Sequence, residues 1–173
     1  MKILILNGSP KGDYSITLQT LKYLEIKNPN HSFEVLHVGQ RINAFMKDMS
    51  KAVDSIKQAD LIIFSYPVYT FIAPYQMHKF IELLKKENID LSNKFATQIS
   101  TSKHFYDMTA HRYIEDNIYD LKMKYIKGLS ADMDDLTSSK GQLDAINGVF
   151  IAPKALATRK TSGGQTLFEI AES

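Results

Sequence analysis

Two stretches of the chain, Ile3-Leu4-Ile5-Leu6 and Leu61-Ile62-Ile63-Phe64, contain no polar residue. Continuous apolar runs of this length suit strands covered on both faces of a parallel sheet. Phe33–Val38 and Phe95–Ser100 read as two further strands, and Met123–Leu129 as a shorter fifth. Between them the period changes. Leu18, Leu21 and Leu24 line one face of a helix over Ser15–Ile26. Pro29 stops it, because the residue before a proline is pushed out of helical geometry. Ile42, Phe45, Met46, Met49, Val53 and Ile56 predict a second helix that ends before Asp60. Met77, Phe80, Ile81 and Leu84 predict a third beyond Pro74, and Ala110, Tyr113, Ile114, Asn117, Ile118 and Leu121 a fourth. A last helix is expected from about Asp132 to Phe150, with Leu136, Leu143, Ile146 and Phe150 inward. Gly141 and Gly148 weaken it, each costing about 1 kcal/mol relative to Ala.

Strands alternating with helices predict an α/β domain over residues 1–150, a doubly wound five-stranded parallel sheet of order 2-1-3-4-5 with helices on both faces. Residues 151–173 depart from the pattern: their Ala, Thr, Lys and Ser-Gly-Gly content reads as an extended or partner-docking tail. In such a sheet a ligand sits at the carboxyl ends of the strands, beside the point between strands one and three where the order reverses. Three loops converge there: Asn7–Ser15, Ser65–Ala73 and Ser100–Asp107.

Composition narrows the chemistry. At 173 residues, 44% hydrophobic and 23% charged, the chain is long enough for one sizeable core. A net charge of +2 with interspersed signs gives no basic stripe for nucleic acid. Cysteine is absent, which removes disulfides, thiolate zinc sites and clusters held by the chain's own thiolates. No apolar stretch approaches the roughly 20 residues that cross a bilayer. A cytoplasmic protein without a membrane or nucleic-acid partner is expected.

The first loop offers the hydroxyls of Ser9, Ser15 and Thr17 beside free backbone amides at a helix start, where the dipole favours an anion. Gly8 and Gly12 allow close approach, and Lys11 stands at the rim. This donor set suits a phosphate monoester; a plain N-cap at Ser15 is the competing reading. Neither the Walker A pattern nor the GxGxxG fingerprint is present. The second loop, Tyr66-Pro67-Val68-Tyr69-Thr70-Phe71, carries aromatic faces that suit a planar heteroaromatic ring, or else Tyr69 and Phe71 serve as dimer contacts or core. The third adds Thr101, Ser102 and His104; the histidine is a donor to a ring carbonyl or incidental. His78 and His111 fall on helices and read as surface or interface residues. No G-x-S-x-G elbow, HExxH or spaced metal-ligand set occurs, and Asp132, Asp134 and Asp135 read as charges at a helix start. A binding site without reactive side chains assigns the chemistry to a cofactor.

Gly8-Ser9-Pro10-Lys11 with Ser15 and Thr17 resembles the phosphate loop of the flavodoxin-like NAD(P)H-dependent FMN reductases. Ala59–Tyr69 is similar to their third strand and ring-binding loop, and Ser100–Asp107 and Gly128–Met133 resemble members described as NAD(P)H-dependent oxidoreductases. The likeness spans roughly residues 1–150. It implies a flavodoxin-like fold binding FMN, with the phosphate on Ser9, Lys11, Ser15, Ile16 and Thr17. The ring would lie between Pro67, Val68, Tyr69, Thr70 and Phe71 on one side and Thr101, Ser102 and His104 on the other. It further implies a homodimer that passes hydride from NAD(P)H through FMN to a small-molecule or protein acceptor, with no side chain as acid–base catalyst. Two other readings stand beside it: an electron carrier without NAD(P)H activity, and a cofactor-free interaction module. Carriers usually present a strongly acidic face, which a net charge of +2 does not supply. Iron–sulfur relatives place a cysteine cluster before the helix that precedes the third strand, where this chain has Arg41–Met46, so cluster chemistry is not implied. Asp13 is expected to turn to solvent, away from a bound phosphate.

Overall fold

β1 (Lys2–Asn7) buries every residue from Ile3 onward, as its apolar run requires. Around it the computed structural model describes residues 1–102 and 107–132, the last two through their backbone. Lys103–Tyr106, with the predicted ligand His104, lie outside the described residues, as do the helix expected to reach Phe150 and the tail after it. After a single 3-10 turn (Gly12–Tyr14), the elements run α1 (Ile16–Lys27), β2 (Ser32–Leu36), α2 (Val38–Phe45), α3 (Ser50–Gln58), β3 (Leu61–Pro67) and α4 (Tyr75–Lys86). Then come β4 (Phe95–Ser102), α5 (Met108–Asp120), β5 (Lys124–Tyr125) and β6 (Leu129–Asp132). Among the described residues the strands pair in parallel, in the order β2-β1-β3-β4-β5, with β6 also on β4.

Strand alternation divides the core. Ile3, Ile5, Ile63 and Ile99 point to one face and meet Leu18, Leu21 and Leu24 of α1. Leu4, Leu6, Ile62, Phe64 and Ala96 point to the other, under α2 to α5. There Phe45 meets Phe80 edge to face, 5.3 Å between centroids, and locks α2 onto α4. Burial of each such side chain stabilises the fold by about 1.5–3 kcal/mol. No helix of the described residues is long and apolar enough to cross a membrane.

β3 and β4 run on to Pro67 and Ser102, past their expected ends at Phe64 and Ser100, so the first residues of both predicted loops are strand. Three further elements differ from the sequence expectation. The single helix expected from Ile42 to Ile56 is two, α2 and α3. The Asp48 carboxylate accepts from the Ser50 amide at 2.9 Å and from its hydroxyl, which ends one helix and opens the next. Strand two stops at Leu36 instead of Val38, because Val38 is drawn into the core as the first residue of α2. The fifth strand is broken into β5 and β6. At Gly128 between them, a Cβ would stand 2.3 Å from the Gln98 carbonyl oxygen, so only glycine lets the chain pass that close to β4.

α5 ends in a Schellman turn: the Met123 amide donates to the Ile118 carbonyl at 3.1 Å and the Lys122 amide to that of Tyr119 at 2.8 Å. Lys122 therefore sits at φ 61°, where a side chain is strained. Lys122→Gly should raise stability by about 0.5–1 kcal/mol, read as a higher urea midpoint.

Candidate functional site

At the carboxyl end of the sheet, the face toward α1 turns from apolar to polar within one strand step. Above Ile5 stands Asn7, above Ile63 stands Ser65, and above Ile99 stands Thr101; all three are buried. Asn7 and Ser65 are neighbours in register. α1 runs antiparallel to the strands, so its first turn lies over this layer. The Thr17 hydroxyl is 2.7 Å from that of Thr101. The Ser65 hydroxyl is buried without a hydrogen-bond partner, a feature that native structures seldom leave unexplained.

The loop after β1 is built by its own polar groups. The Asn7 side chain accepts from the Ser9 amide at 3.2 Å and donates to the Gly12 carbonyl at 3.1 Å. Gly12, at φ 56°, also accepts from the Ser15 amide at 3.1 Å. Ser15 is the N-cap of α1, its hydroxyl oxygen facing the Leu18 amide at 3.5 Å, and the Ser9 hydroxyl oxygen accepts from the Lys11 amide at 3.2 Å. The helix start leaves the amides of Ile16 and Thr17 without intrahelical acceptors. Lys11 and Ile16 are exposed at the rim. Asp13 turns its carboxylate to Lys22 at 2.7 Å, and that hydrogen bond holds its acidity on the strong side of an ordinary carboxyl. From behind, α2 comes so close that a Cβ on Gly39 would stand 2.3 Å from the Ser9 carbonyl oxygen.

The loop after β3 continues the sheet for one bond, the Val68 amide donating to the Thr101 carbonyl at 2.9 Å. It then folds into a tight turn closed by reciprocal Tyr69 and Ile72 backbone bonds of 3.0 and 3.3 Å. Thr70 and Phe71 at its tip have φ of 49° and 73°. Asn and Gly normally occupy such positions, and a non-glycine residue held there costs about 1–3 kcal/mol. Strain of this kind collects at ligand sites. Pro67 and Val68 are half-buried; Tyr69, Thr70 and Phe71 are exposed, with the exposed apolar side chains of Ile72 and Tyr75 beside them.

The opposite face of β4 carries a polar network. Burial pushes the Tyr66 phenol pKa well above its ordinary value, so the group stays neutral and donates to Gln98 at 2.6 Å. The Gln98 amide nitrogen donates to the His111 carbonyl at 3.0 Å and to the Tyr125 hydroxyl at 2.8 Å. His111, read from the sequence as a surface or interface residue, is half-buried, and its Nε2 lies 2.7 Å from the Ser100 hydroxyl. Burial pushes its imidazole pKa down against the opposite pull of Asp107 and Glu115. His78 is also half-buried, stacked 4.1 Å from the Tyr113 ring, and burial lowers its pKa.

Of the predicted ligands, Ser9, Ser15, Thr17, Thr101 and Ser102 are buried at one end of the sheet, and Pro67–Phe71 flank them. Asn7 and Ser65, which the sequence placed in these loops without a role of their own, and Gly39, which it did not name, belong to the same place. A cavity of about 480 Å³ between the carboxyl ends of α4 and α5 lies at the opposite end, its Lys85 and Asp120 paired at 2.7 Å. No group of His, Asp and Glu fit to hold a metal is present among the described residues. Asn7→Ala should lower stability by about 1–3 kcal/mol in urea unfolding, since it strands the buried Ser9 amide and leaves the Gly12 carbonyl with the Ser15 amide alone. Gly39→Ala should match it by forcing α2 off the loop.

The profile of the family described as flavodoxin-like fold matches residues 1–89. No curated protein matches the sequence. Among solved structures, an NADH:FMN oxidoreductase in its apo form is similar with a TM-score of 0.71 at 15% identity, over 96% of this chain and 94% of that one. An FMN-dependent NADH-azoreductase from Bacillus anthracis in complex with FMN has a TM-score of 0.68 at 16% identity, over 91% and 100%. An NAD(P)H:quinone oxidoreductase from Methanothermobacter marburgensis has 0.64 at 13%, over 90% and 94%. At such identities the likeness speaks for the fold, and the sheet order agrees with it. Since the profile covers just over half of the sequence, the chain belongs to the flavodoxin-like fold family.

Proposed function

We propose that the chain binds FMN and passes hydride from NAD(P)H through it to an acceptor, a small molecule or a protein. The observation that carries this reading is the donor set at the start of α1. The Ser9 and Ser15 oxygens already accept from Lys11 and Leu18 amides, which leaves each O–H to donate outward. In the Thr17–Thr101 pair one hydroxyl donates to the other, which leaves one more. The amides of Ile16 and Thr17 and the unpartnered Ser65 hydroxyl extend the set. A phosphate monoester dianion is acceptor-only, and the helix dipole adds about 0.3–1 kcal/mol, up to ~2 when partly buried.

Ser9, Ser15, Ile16 and Thr17 would hold the phosphate, with Lys11 outside. Pro67–Phe71, Thr101 and Ser102 would flank the ring, with His104 expected beside them. A turn at Thr70 and Phe71 closed by the Tyr69–Ile72 backbone pair would leave less ordering to oppose association. Bound FMN would supply the two-electron chemistry that the side chains lack. The exposed Tyr69, Phe71, Ile72 and Tyr75 beside the loop support pairing of two copies across this face. Solved structures named as FMN-dependent or NAD(P)H-dependent oxidoreductases share the fold and support the reading.

Anaerobic mixing of the FMN-loaded protein with NADH or NADPH should bleach the visible flavin absorbance without a partner. A holoprotein that stays yellow with both is a carrier, not a reductase. Replacing Ser9 and Ser15 together with Glu should strip the flavin by placing like charge at the phosphate; a fully loaded double variant contradicts this phosphate loop.

A further inference from the structure

The polar network behind β4 has no part in the cofactor reading, yet it ends on the same strand. Ser100 and Thr101 are consecutive, and they face opposite ways. Thr101 bonds Thr17 through its hydroxyl at 2.7 Å and the Val68 amide through its carbonyl at 2.9 Å, so it joins the phosphate helix to the ring loop. Ser100 bonds His111 of α5. His111 Nε2 also lies 3.7 Å from the Asp107 carboxylate one turn earlier, and that carboxylate accepts from the Ser130 hydroxyl on β6.

We propose that His111 is a positioning residue for the cofactor: its neutral ring ties Ser100, and with it the end of β4, to α5, whereas its protonated ring turns to Asp107 and lets that end go. This rests on the FMN reading above.

The chemistry follows from one nitrogen facing two partners. In the neutral ring, Nε2 shares a hydrogen bond with the Ser100 hydroxyl, which serves as donor or acceptor. A second proton makes the ring a cation beside a carboxylate. A charge-assisted bond is roughly twice as strong as a neutral one and closes to about 2.7–2.9 Å. Closing from 3.7 Å moves the ring off Ser100. The groups that face the imidazole are Asp107 at the N-cap of α5 and Glu115 within it, the Tyr66 ring of β3 at 6.4 Å, and Ser100 of β4; Tyr125 of β5 meets its backbone through Gln98. Both carboxylates favour the charged ring, and burial, the larger effect, favours the neutral one. The ring is therefore neutral at pH 7 and charges only on acidification below the ordinary histidine range, about 6.5. FMN binds the neutral-ring arrangement, so affinity is full above that range and falls as pH drops through the folded-state value. By linkage, FMN lowers the ring's own pKa further.

The test compares FMN dissociation constants, read from quenching of flavin fluorescence between about pH 8 and pH 5, for the wild type and His111→Gln. Gln keeps a hydrogen-bonding group near Ser100 and cannot titrate. The phosphate's second ionisation near pH 6 acts on both proteins alike, so their difference isolates the histidine. Affinity of the wild type should fall more steeply than that of His111→Gln, by up to about tenfold more per pH unit once the ring is charged. A parallel titration of the His111 ring by NMR in wild-type protein should show FMN lowering its pKa, a readout that needs no substitution. Identical pH profiles for the two proteins, or a ring pKa that FMN does not move, overturn the inference and leave FMN binding standing. Absence of FMN binding at every pH overturns both.

Discussion

The buried side chain of Asn7 is the contact on which the site depends. A strand that ends inside a protein must turn without leaving its backbone groups unpaired. Asn7 meets that demand from both ends of its amide, taking the Ser9 N–H and giving to the Gly12 carbonyl. Gly12 then receives the Ser15 amide, and Ser15 caps α1 at Leu18. One side chain thus sets where α1 begins and which amides its first turn presents. Each bond contributes only about 0.5–1.5 kcal/mol, but leaving a buried partner unmade costs about 1–3 kcal/mol, so the arrangement is retained as a unit. α2 closes the loop from behind, and only a residue without a Cβ at position 39 permits that approach.

The two faces of β4 divide the remaining work. Toward α1, Thr101 connects α1 to the loop after β3; toward α5, Ser100, Gln98 and their partners join four strands and a helix in one partly buried network. In the low dielectric of a core, such a network is rigid only when its members are satisfied, and Gln98 is satisfied at both ends of its amide. The strained turn at Thr70 and Phe71 is carried on this support. Stability is given up at the tip and recovered in the sheet beneath it.

The sheet was legible because its central strands are covered on both faces, which forces unbroken apolar runs at Ile3–Leu6 and Leu61–Phe64. Strand order then followed from alternation and handedness. The loops that gather Ser9, Ser15, Thr17, Pro67–Phe71 and Thr101 followed from the order. Local competition was less legible. Asp48 interrupts a helical pattern by offering its carboxylate to Ser50, and Gly128 breaks a strand because it meets Gln98, far back along the chain. Gly39 and His111 received no role for a related reason: each meets another element, Gly39 the Ser9 carbonyl and His111 the Ser100 hydroxyl of β4. Asn7 and Ser65 opened two of the predicted loops, but what the sequence did not mark was the part of each: Asn7 tying its own loop to Ser9 and Gly12, and Ser65 standing beside it in register. Ser15 was readable as an N-cap or as a phosphate ligand, and the structure shows the cap. A hydroxyl that accepts from its own helix still has a proton to give, so the two roles are compatible.

An equilibrium titration of the purified protein with FMN and, separately, with riboflavin is the most direct check, because the two differ only in the phosphate. Charge-assisted bonds at about 1.5–3 kcal/mol and the helix dipole together call for FMN to bind at least about a hundredfold more tightly, at one per chain. Equal affinity for the two flavins would contradict a phosphate site at the start of α1, and failure to bind either would contradict the cofactor itself.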